Sequence, residues 1–223
     1  MTASLPEYTG DVVVGGAAAV RELTGLRVIK VAVGPYATNA YLLECTATRE
    51  RLLVDAAADA DRLLDVIGPG GLGQILTTHF HFDHWEALAE VVQRTGAATL
   101  MHPADTVGVP VPTDTRVRDG DEVRVGQVAL QAVHLMGHTL GSLALVYREP
   151  GGPDHIWSGD CLFPGGVGKT HGEPALFDAL IGGVTSKLFD AHGDDTWVYP
   201  GHGRDTTLGA ERPQLDGWRK RGW

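Results

Sequence analysis

The chain lacks most of the features that mark secreted, fibrous or membrane proteins. It has two cysteines in 223 residues, aromatic residues make up only 7%, and no apolar run approaches the roughly 20 residues of a transmembrane helix. No charged stretch followed by an apolar one opens the sequence, so a secretory signal is not predicted. Without export, Cys45 and Cys161 are expected to be reduced thiols of a cytoplasmic protein.

The chain also has fewer basic than acidic residues. Lys and Arg total 18 against 28 Asp and Glu, which gives a formal net charge of −10. A nucleic-acid-binding protein needs a basic surface to neutralise phosphates, so the expected partner is a small-molecule substrate, with neither nucleic acid nor membrane. Arginine outnumbers lysine, a bias typical of high-GC bacterial genomes. A hydrophobic fraction of 43% is ordinary for a globular chain that buries a sizeable core.

Short runs rich in β-branched residues alternate with amphipathic stretches along the chain. Strands are predicted at Arg27–Val33, Asn39–Glu44, Arg51–Val54, Gln74–Thr77, Ala98–Met101, Glu122–Val125, Val128–His134, Leu143–Tyr147 and Trp197–Tyr199. Helices are predicted at Asp59–Ile67, Trp85–Arg94 and Pro174–Phe189, the last bent or split at Gly182 and Gly183.

The strands outnumber the helices, which indicates an α/β (α+β) protein in which sheets pack on each other with helices outside. The expected architecture is a four-layer αββα sandwich. It is expected to form one domain over residues 1–223, with residues 1–25 as an N-terminal extension and residues 204–223 as a short tail.

One segment concentrates side chains that bind metals. His79, His81, Asp83 and His84 lie on a single turn between a predicted strand and a predicted helix. Ligands commonly bind where strands end, because loops converge there. Crowded imidazoles lower one another's pKa, which favours the neutral form that binds metal. Satisfied histidines on a polar turn would explain one His-x-His pair, but two histidine pairs with an aspartate favour a metal site.

Three later segments repeat this design. His138, Asp160 and His202 each follow a strand or apolar stretch and lie beside a glycine. Because glycine lets the backbone approach closely, each segment can bring its side chain to a shared site. The histidines and aspartates of all four segments therefore indicate one metal centre.

These motifs resemble the metallo-β-lactamase superfamily and, within it, the glyoxalase II-like (hydroxyacylglutathione hydrolase-like) enzymes. The resemblance runs from about Val28 to Gly203 and rests on the His-x-His-x-Asp-His segment, followed in order by His138, Asp160 and His202. It implies the metallo-β-lactamase fold, an αββα sandwich. It also implies two divalent metal ions, most simply Zn²⁺, with Fe or Mn tolerated at the second site.

The same resemblance assigns the ligands. It implies that His79, His81 and His138 bind the first metal, that Asp83, His84 and His202 bind the second, and that Asp160 bridges both. The implied reaction is attack of a metal-bridging hydroxide on a thioester or ester, such as a low-molecular-weight-thiol conjugate, with Asp83 also orienting the hydroxide. A persulfide dioxygenase-like oxidoreductase with one iron, a lactonase and a non-enzymatic binding module stabilised by metal remain alternatives.

Substrate contacts are expected from three residues near the motifs. Lys169 and His171 lie in the segment that borders the substrate cleft of related enzymes, and Arg204 follows His202. The sequence around Lys169 lacks the glycine spacing and the following helix of a phosphate-binding loop, which excludes that motif. Glyoxalase II proper continues into a helical substrate-binding domain, and no such separate domain is expected here.

Other polar residues near the motifs are assigned supporting roles. Thr78, Thr139 and Ser142 are expected either to hydrogen-bond the metal-binding side chains and fix the imidazole tautomers or only to cap turns. Adjacent side chains of an extended strand point in opposite directions, so Cys161 is expected to face the core while Asp160 faces the metals.

The remaining histidines lack a motif. His134 is expected, like the other three, at the surface or at a strand edge, and it is the first candidate among them to approach the site because it lies four residues before His138. His102, His155 and His192 are expected at the surface or at strand edges, because nothing around them suggests ligation.

Overall fold

Two β-sheets form the framework of the computed structural model, which describes residues 8–222. Within those residues the first sheet has seven strands, adjacent in chain order: β1 (Ala19–Glu22), β2 (Leu26–Val33), β3 (Thr38–Cys45), β4 (Arg51–Val54), β5 (Gln74–Leu76), β6 (Ala98–Met101) and β7 (Thr115–Arg116). The second has six, in spatial order β15 (Thr206–Thr207), β14 (Trp197–Pro200), β11 (Asp154–Gly159), β10 (Leu143–Arg148), β9 (Val128–His134) and β8 (Glu122–Val125). A small hairpin pairs β12 (Leu162–Phe163) with β13 (Gly166–Val167).

Helices cover the outer faces of the two sheets. They are α1 (Ala60–Ile67), α2 (Leu88–Thr95), α3 (Pro174–Val184), α4 (Leu208–Glu211) and α5 (Leu215–Arg221). Leu63 of α1 and Leu88 of α2 belong to the apolar cluster on the outer face of the first sheet. Phe177 of α3 and Trp218 of α5 belong to the cluster on the outer face of the second. Each sheet therefore has its own helical layer.

A third apolar cluster fills the space between the sheets. Neighbouring residues of a central strand serve different layers: Leu43 of β3 packs between the sheets, whereas Leu42 packs under the helices. Likewise, Leu145 of β10 faces the inner cluster and Val146 the outer one. Strands buried on both faces read as continuous apolar runs rather than alternating ones. The layers follow the order αββα, so the predicted sandwich is confirmed.

Most predicted elements agree with the structure to within a few residues. Helix α2 begins at Leu88 rather than Trp85, because Phe82–His84 form a separate 3₁₀ turn. The predicted interruption at Gly182 and Gly183 takes the form of a change from α to π geometry at Thr185–Phe189. The strands and helices that the sequence pattern did not predict are β1, β7, β11, β12, β13, β15, α4 and α5. Several of them are too short to show periodicity.

Both terminal segments contribute to the packed layers. Within the expected N-terminal extension, β1 pairs antiparallel with β2, with Val20 opposite Ile29. Within the expected tail, α5 buries Leu215 and Trp218 against the second sheet. Parts of the expected N-terminal extension and C-terminal tail thus form regular elements that the sequence pattern did not predict, while the division of the chain stays a prediction. Residues 1–7 and 223 lie outside the described part of the chain.

Both cysteines are free and buried, including Cys45, for which the sequence analysis predicted only a reduced thiol. Cys161 belongs to the outer cluster of the second sheet, and its Sγ lies 3.8 Å from the carbonyl oxygen of Leu135. Its side chain thus faces the helical layer, away from the predicted metal site. Among the described helices, none combines the length and apolar character needed to cross a bilayer.

Replacement of Trp218 by alanine tests whether α5 is an integral part of the fold. Trp218 is 2% exposed, and its ring centroid lies 6.4 Å from that of Phe189. Loss of this side chain leaves a cavity, so Trp218→Ala should lower the free energy of unfolding by about 3–5 kcal/mol, measured by urea denaturation. Val107→Ala is the control, because Val107 is 94% exposed and its loss should change stability by less than about 0.5 kcal/mol. Equal stabilities of the two variants would contradict this packing.

Candidate metal centre

The predicted metal-binding side chains all follow strand ends. β5, β9, β11 and β14 lead into the loops that carry them. β11 and β14 run parallel with Trp157 opposite Tyr199, so Asp160 and His202 emerge side by side. His202 also forms an isolated bridge with Thr38 at the start of β3, which ties its loop to the first sheet. The site therefore lies at one edge of the sandwich, where loops from both sheets meet.

His79, His81 and His138 form the first triad. Nε2 of His79 lies 2.9 Å from Nδ1 of His81 and 3.2 Å from Nε2 of His138. One nitrogen from each ring lies within 4.8 Å of the other two. Three converging imidazole nitrogens suit a tetrahedral Zn²⁺ that keeps its fourth position for solvent or substrate.

Asp83, His84 and His202 form the second triad. Nε2 of His202 lies 3.2 Å from Oδ2 of Asp83 and 3.3 Å from Nε2 of His84. The His84 side chain is fully buried, whereas those of Asp83 and His202 are 22% and 29% exposed. The second triad is therefore open to solvent on the side of Asp83 and His202.

Asp160 lies between the two triads. Its Oδ1 is 3.4 Å from Nε2 of His84, and its Oδ2 is 3.5 Å from Nε2 of His138 and 3.6 Å from Nε2 of His202. Oδ1 is buried and has no hydrogen-bond partner among the described residues. An unpaired buried carboxylate oxygen is costly, whereas a divalent cation between it and the imidazoles would satisfy it. The donor set therefore fits a pair of metal ions.

In four of the five imidazoles, the ring nitrogen that does not face the centre is held by another group. This fixes the ring orientations and the tautomer that leaves the inner nitrogen free to bind metal. The contacts are His79 Nδ1 with Thr78 Oγ1 (3.0 Å), His84 Nδ1 with Asp55 Oδ2 (2.7 Å), His138 Nδ1 with the Lys169 carbonyl oxygen (2.9 Å) and His202 Nδ1 with the Tyr36 carbonyl oxygen (3.2 Å). The expected contact between Thr78 and an imidazole is present.

Asp55 is a supporting residue that the sequence analysis missed. Its carboxylate accepts hydrogen bonds from the Thr78 backbone N–H at 2.7 Å and the Thr78 hydroxyl at 2.9 Å, besides its contact with His84. Asp55 follows β4 directly and has a left-handed backbone with φ of 62°. The signal that could have revealed it is the same one used for Asp160, an aspartate immediately after an apolar strand.

Asp105 holds two ligand-bearing loops against each other. Its Oδ2 accepts a hydrogen bond from the Phe80 backbone N–H at 3.1 Å and from the Thr139 hydroxyl at 2.6 Å. The Ser142 hydroxyl contacts that of Thr139 at 2.7 Å. Thr139 therefore contacts both Asp105 and Ser142, and within the described residues neither Thr139 nor Ser142 forms the predicted hydrogen bond with an imidazole. The sequence analysis did not identify Asp105 as the residue that links these two loops.

The first triad is electrically neutral near neutral pH. Burial, followed by the charge of neighbouring imidazoles, lowers the pKa of His79 well below its usual value. Burial also lowers the pKa of His81, and it lowers that of His138 to about 4. These rings are therefore ready to bind a cation without first losing a proton.

The second triad holds protons in the absence of metal. Burial alone would lower the pKa of His84, but the carboxylates of Asp55 and Asp160 outweigh it and raise the pKa to about 10. Burial also opposes the charged form of His202, yet its hydrogen bond with Asp83 and the charge of Asp160 raise its pKa. Metal binding at this triad must therefore displace protons.

The three predicted substrate contacts lie at the surface near the centre. The exposed His171 ring lies 6.2 Å from the His81 ring between centroids. Lys169 is also exposed, and it lines a cavity of about 290 Å³ together with Phe163 and Pro164. The Arg204 side chain is 77% exposed, and its Nε lies 3.9 Å from a carboxylate oxygen of Asp11. Their contact with substrate stays a prediction.

The other histidines lie outside both triads. His134 does not approach the triads; its ring stacks on His102 at 4.1 Å, and its Nε2 faces the Leu140 carbonyl oxygen at 2.8 Å. His155 is fully buried rather than superficial, with Nδ1 2.8 Å from the Tyr199 hydroxyl. The prediction of a surface or edge position was wrong for His155, because the packing of neighbouring strands is invisible in local sequence, whereas His134 is half-buried at the end of β9.

Comparison with known proteins agrees with this geometry. The family model described as the Metallo-beta-lactamase superfamily matches residues 33–202, so the chain belongs to this superfamily. The match spans the strands and loops that carry all the predicted metal-binding side chains. It confirms the resemblance seen in the sequence and the fold that this resemblance implied.

Three individual relatives show which members of the superfamily this chain is similar to. A hydroxyacylglutathione hydrolase from Polaromonas sp. is 34% identical over 165 residues, which cover 73% of this chain and 60% of that protein. ETHE1 from Myxococcus xanthus has 29% identity and a TM-score of 0.74, covering 87% of either chain. TTHA1623, solved in a di-iron-bound form, has 30% identity and a TM-score of 0.66, covering 82% of this chain and 96% of its own. The chain is thus hydrolase-like, with relatives among glyoxalase II enzymes.

The unequal protonation of the triads predicts an unequal release of protons. A ligand whose pKa is raised holds its proton at neutral pH, so metal binding displaces that proton and weakens as the pH falls. On titration with Zn²⁺ at neutral pH, the step that fills the second triad should release at least one proton, and the step that fills the first should release almost none. Calorimetry in buffers of different ionisation enthalpy measures this difference.

Asp55→Asn is the matched control for this titration. The substitution keeps the size of the side chain and removes the charge that raises the pKa of His84. Proton release in the second step should therefore decrease in Asp55→Asn and stay unchanged in the first. Equal proton release in both steps of the unaltered protein would contradict the assignment.

Proposed function

We propose that this protein is a binuclear metal-dependent hydrolase that cleaves a thioester or a related ester. The observation that carries the proposal is the buried carboxylate of Asp160, which lies between two converging triads. An all-imidazole triad suits Zn²⁺, and a triad that includes a carboxylate accepts Zn²⁺, Fe or Mn. The di-iron form of TTHA1623 supports a pair of metals on this fold.

The residues around the centre are arranged to orient a water molecule. Two divalent ions, when bound, polarise a carbonyl group and lower the pKa of a shared water, so that a nucleophile exists near neutral pH. Burial opposes ionisation of Asp83, but hydrogen bonds with His202 and Thr38 and the charge of His84 lower its pKa. Asp83 therefore remains a carboxylate, held at 3.1 Å by the Thr38 hydroxyl, that can accept a hydrogen bond from the attacking water and so orient it.

Substrate would reach the centre from its exposed side. His79 and His84 are fully buried, and Asp160 is 9% exposed, so these residues form the floor of the site. Asp83 and His202 of the second triad and His81 of the first are partly exposed. A carbonyl group that enters from solvent therefore meets these three side chains and the water held by Asp83 first.

The rim of the site suits a substrate with an apolar part and an anionic part. Phe80 and Phe82 are 37% and 53% exposed although they alternate with the proposed ligands, and they offer an apolar surface to an acyl group. Lys169, His171 and Arg204 are exposed groups that could bind the carboxylates of a low-molecular-weight-thiol conjugate. The similarity to a hydroxyacylglutathione hydrolase supports a thioester of this kind.

Hydrolysis and metal content can be tested together. Protein loaded with Zn²⁺ should release free thiol from a panel of acyl thioesters, removal of metal by a chelator should abolish the activity, and renewed Zn²⁺ should restore it. His84→Ala removes a ligand of the second triad and should lower kcat/KM at least about a hundredfold, since metal stabilisation of the transition state is worth several kcal/mol. The readouts are thiol release and bound metal per chain.

The matched control is His192→Ala. His192 pairs with Asp154 at 2.6 Å and lies outside both triads, so this variant should keep its metal and its activity. Two occupied sites without turnover of any thioester or ester would refute the proposed hydrolase. Persulfide-dependent oxygen uptake with one iron per chain would indicate the dioxygenase-like alternative. Faster ring opening of lactones than thioester cleavage would indicate a lactonase.

A further inference from the structure

A fully buried lysine lies beside the loop that carries His202. Lys30 on β2 is 0% exposed. Its Nζ donates hydrogen bonds to the carbonyl oxygen of Gly10 at 2.7 Å, to that of Gly203 at 2.9 Å and to Oδ1 of Asp205 at 2.6 Å. An ammonium group has three donors, so each has an acceptor. Burying this charge is unfavourable unless all three bonds form, so the loop that provides two of them is fixed in place.

Two side chains of β3 bind the same loop. Nδ2 of Asn39 donates to the carbonyl oxygens of Pro200 at 2.9 Å and Gly203 at 3.0 Å. The Tyr41 hydroxyl donates to the Pro200 carbonyl oxygen at 2.7 Å. The loop is therefore held on both sides of His202, before it at Pro200 and after it at Gly203.

The N-terminal segment closes over the ion pair. The Tyr8 hydroxyl donates to Oδ2 of Asp205 at 2.6 Å, so both carboxylate oxygens are engaged. Gly10 has φ of +70°, and a Cβ added there would lie 2.3 Å from Oδ2 of Asp205. Only a residue without a side chain lets the backbone approach this closely. The segment thus shields Lys30 and Asp205 from water.

His202 is less enclosed by neighbouring side chains than His84 or His138. Its side chain is 29% exposed, against 0% for His84 and 7% for His138. Its outer nitrogen has one anchor, the Tyr36 carbonyl oxygen at 3.2 Å. The position of the ring is therefore set largely by the backbone on either side of it.

We propose that Lys30, Asp205, Asn39 and Tyr8 form a clamp that positions His202 for the second metal. The inference rests on the proposed binuclear centre, and it makes these four residues positioning residues rather than ligands. Within the described residues, the first triad (His79, His81 and His138) forms no hydrogen bond with the clamp. Loss of the clamp should therefore weaken one metal site and spare the other.

The test is a stepwise titration of metal-free protein with Zn²⁺ against a chromophoric chelator, with no substrate present. Lys30→Met and Asn39→Ala should weaken the second binding step about tenfold and leave the first unchanged, as expected for groups that orient a ligand. Tyr8→Phe removes one hydrogen bond to Asp205 and should weaken the second step by a smaller factor. Asn39→Ala and Tyr8→Phe leave no buried charge unpaired, so they carry the test if Lys30→Met does not fold.

Arg51→Met is the matched control for a loss of stability alone. Arg51 forms an ion pair with Glu44, which is 1% exposed. Glu44 lies near the C-terminal end of β3, whereas Thr38, which bridges to His202, begins the strand. Loss of Arg51 removes this ion pair and the hydrogen bond from Arg51 to the Ile67 carbonyl oxygen, and it leaves the buried Glu44 paired with Arg49 at 2.7 Å, so the melting temperature should fall. Because the pair is remote from the His202 loop, both Zn²⁺ steps should remain as in the unaltered protein.

Three results would overturn the clamp. They are an unchanged second step in folded Lys30→Met and Asn39→Ala, an equal weakening of both steps in these variants, and a weakened second step in Arg51→Met. A single Zn²⁺ step in the unaltered protein would refute the binuclear centre and the clamp together. Two steps in the unaltered protein with an unaffected Lys30→Met would refute the clamp alone.

Discussion

The buried carboxylate of Asp160 is the constraint on which the rest of the site depends. It has imidazole nitrogens of three different loops within 3.6 Å, yet its Oδ1 accepts no hydrogen bond among the described residues. In a low-dielectric interior such a group is tolerated only with a compensating positive charge. The proton on His84, whose pKa is raised to about 10, provides that charge without metal, and divalent cations would provide it with metal. The same electrostatic requirement thus explains the raised pKa values and the proposed metals.

The sandwich meets this requirement by ending its strands at one edge. The parallel pairing of β11 with β14 brings Asp160 and His202 together, and the bridge between Thr38 and His202 joins the two sheets at that point. Each ring is then oriented by a contact behind it, such as that of Asp55 with His84. Residues that contact a metal ligand from behind, as Asp55 contacts His84, commonly affect both the affinity for the metal and the orientation of the ligand. The same strand pairing that packs the two sheets therefore also positions the side chains of the site.

Sequence alone predicted the sandwich and the side chains that converge, because apolar strands and closely spaced histidines are local patterns. It did not reveal the burial of Lys30 or its pairing with Asp205, 175 positions along the chain. Nothing in a local window distinguishes such a lysine from a solvated one. His155 was misplaced for the same reason, since its burial depends on strands that pack beside it. Asp55 could have been identified from the sequence, because it directly follows an apolar strand, as Asp160 does.

The most direct test of the central claim is a crystal structure of the Zn²⁺-loaded protein, with anomalous scattering recorded at the zinc absorption edge. The account predicts two anomalous peaks roughly 3.5–4 Å apart, the spacing typical of two-metal sites. One should lie among His79, His81 and His138, the other beside His84 and His202, with Asp160 in contact with both. A single peak at saturating Zn²⁺, or two peaks without Asp160 between them, would contradict it.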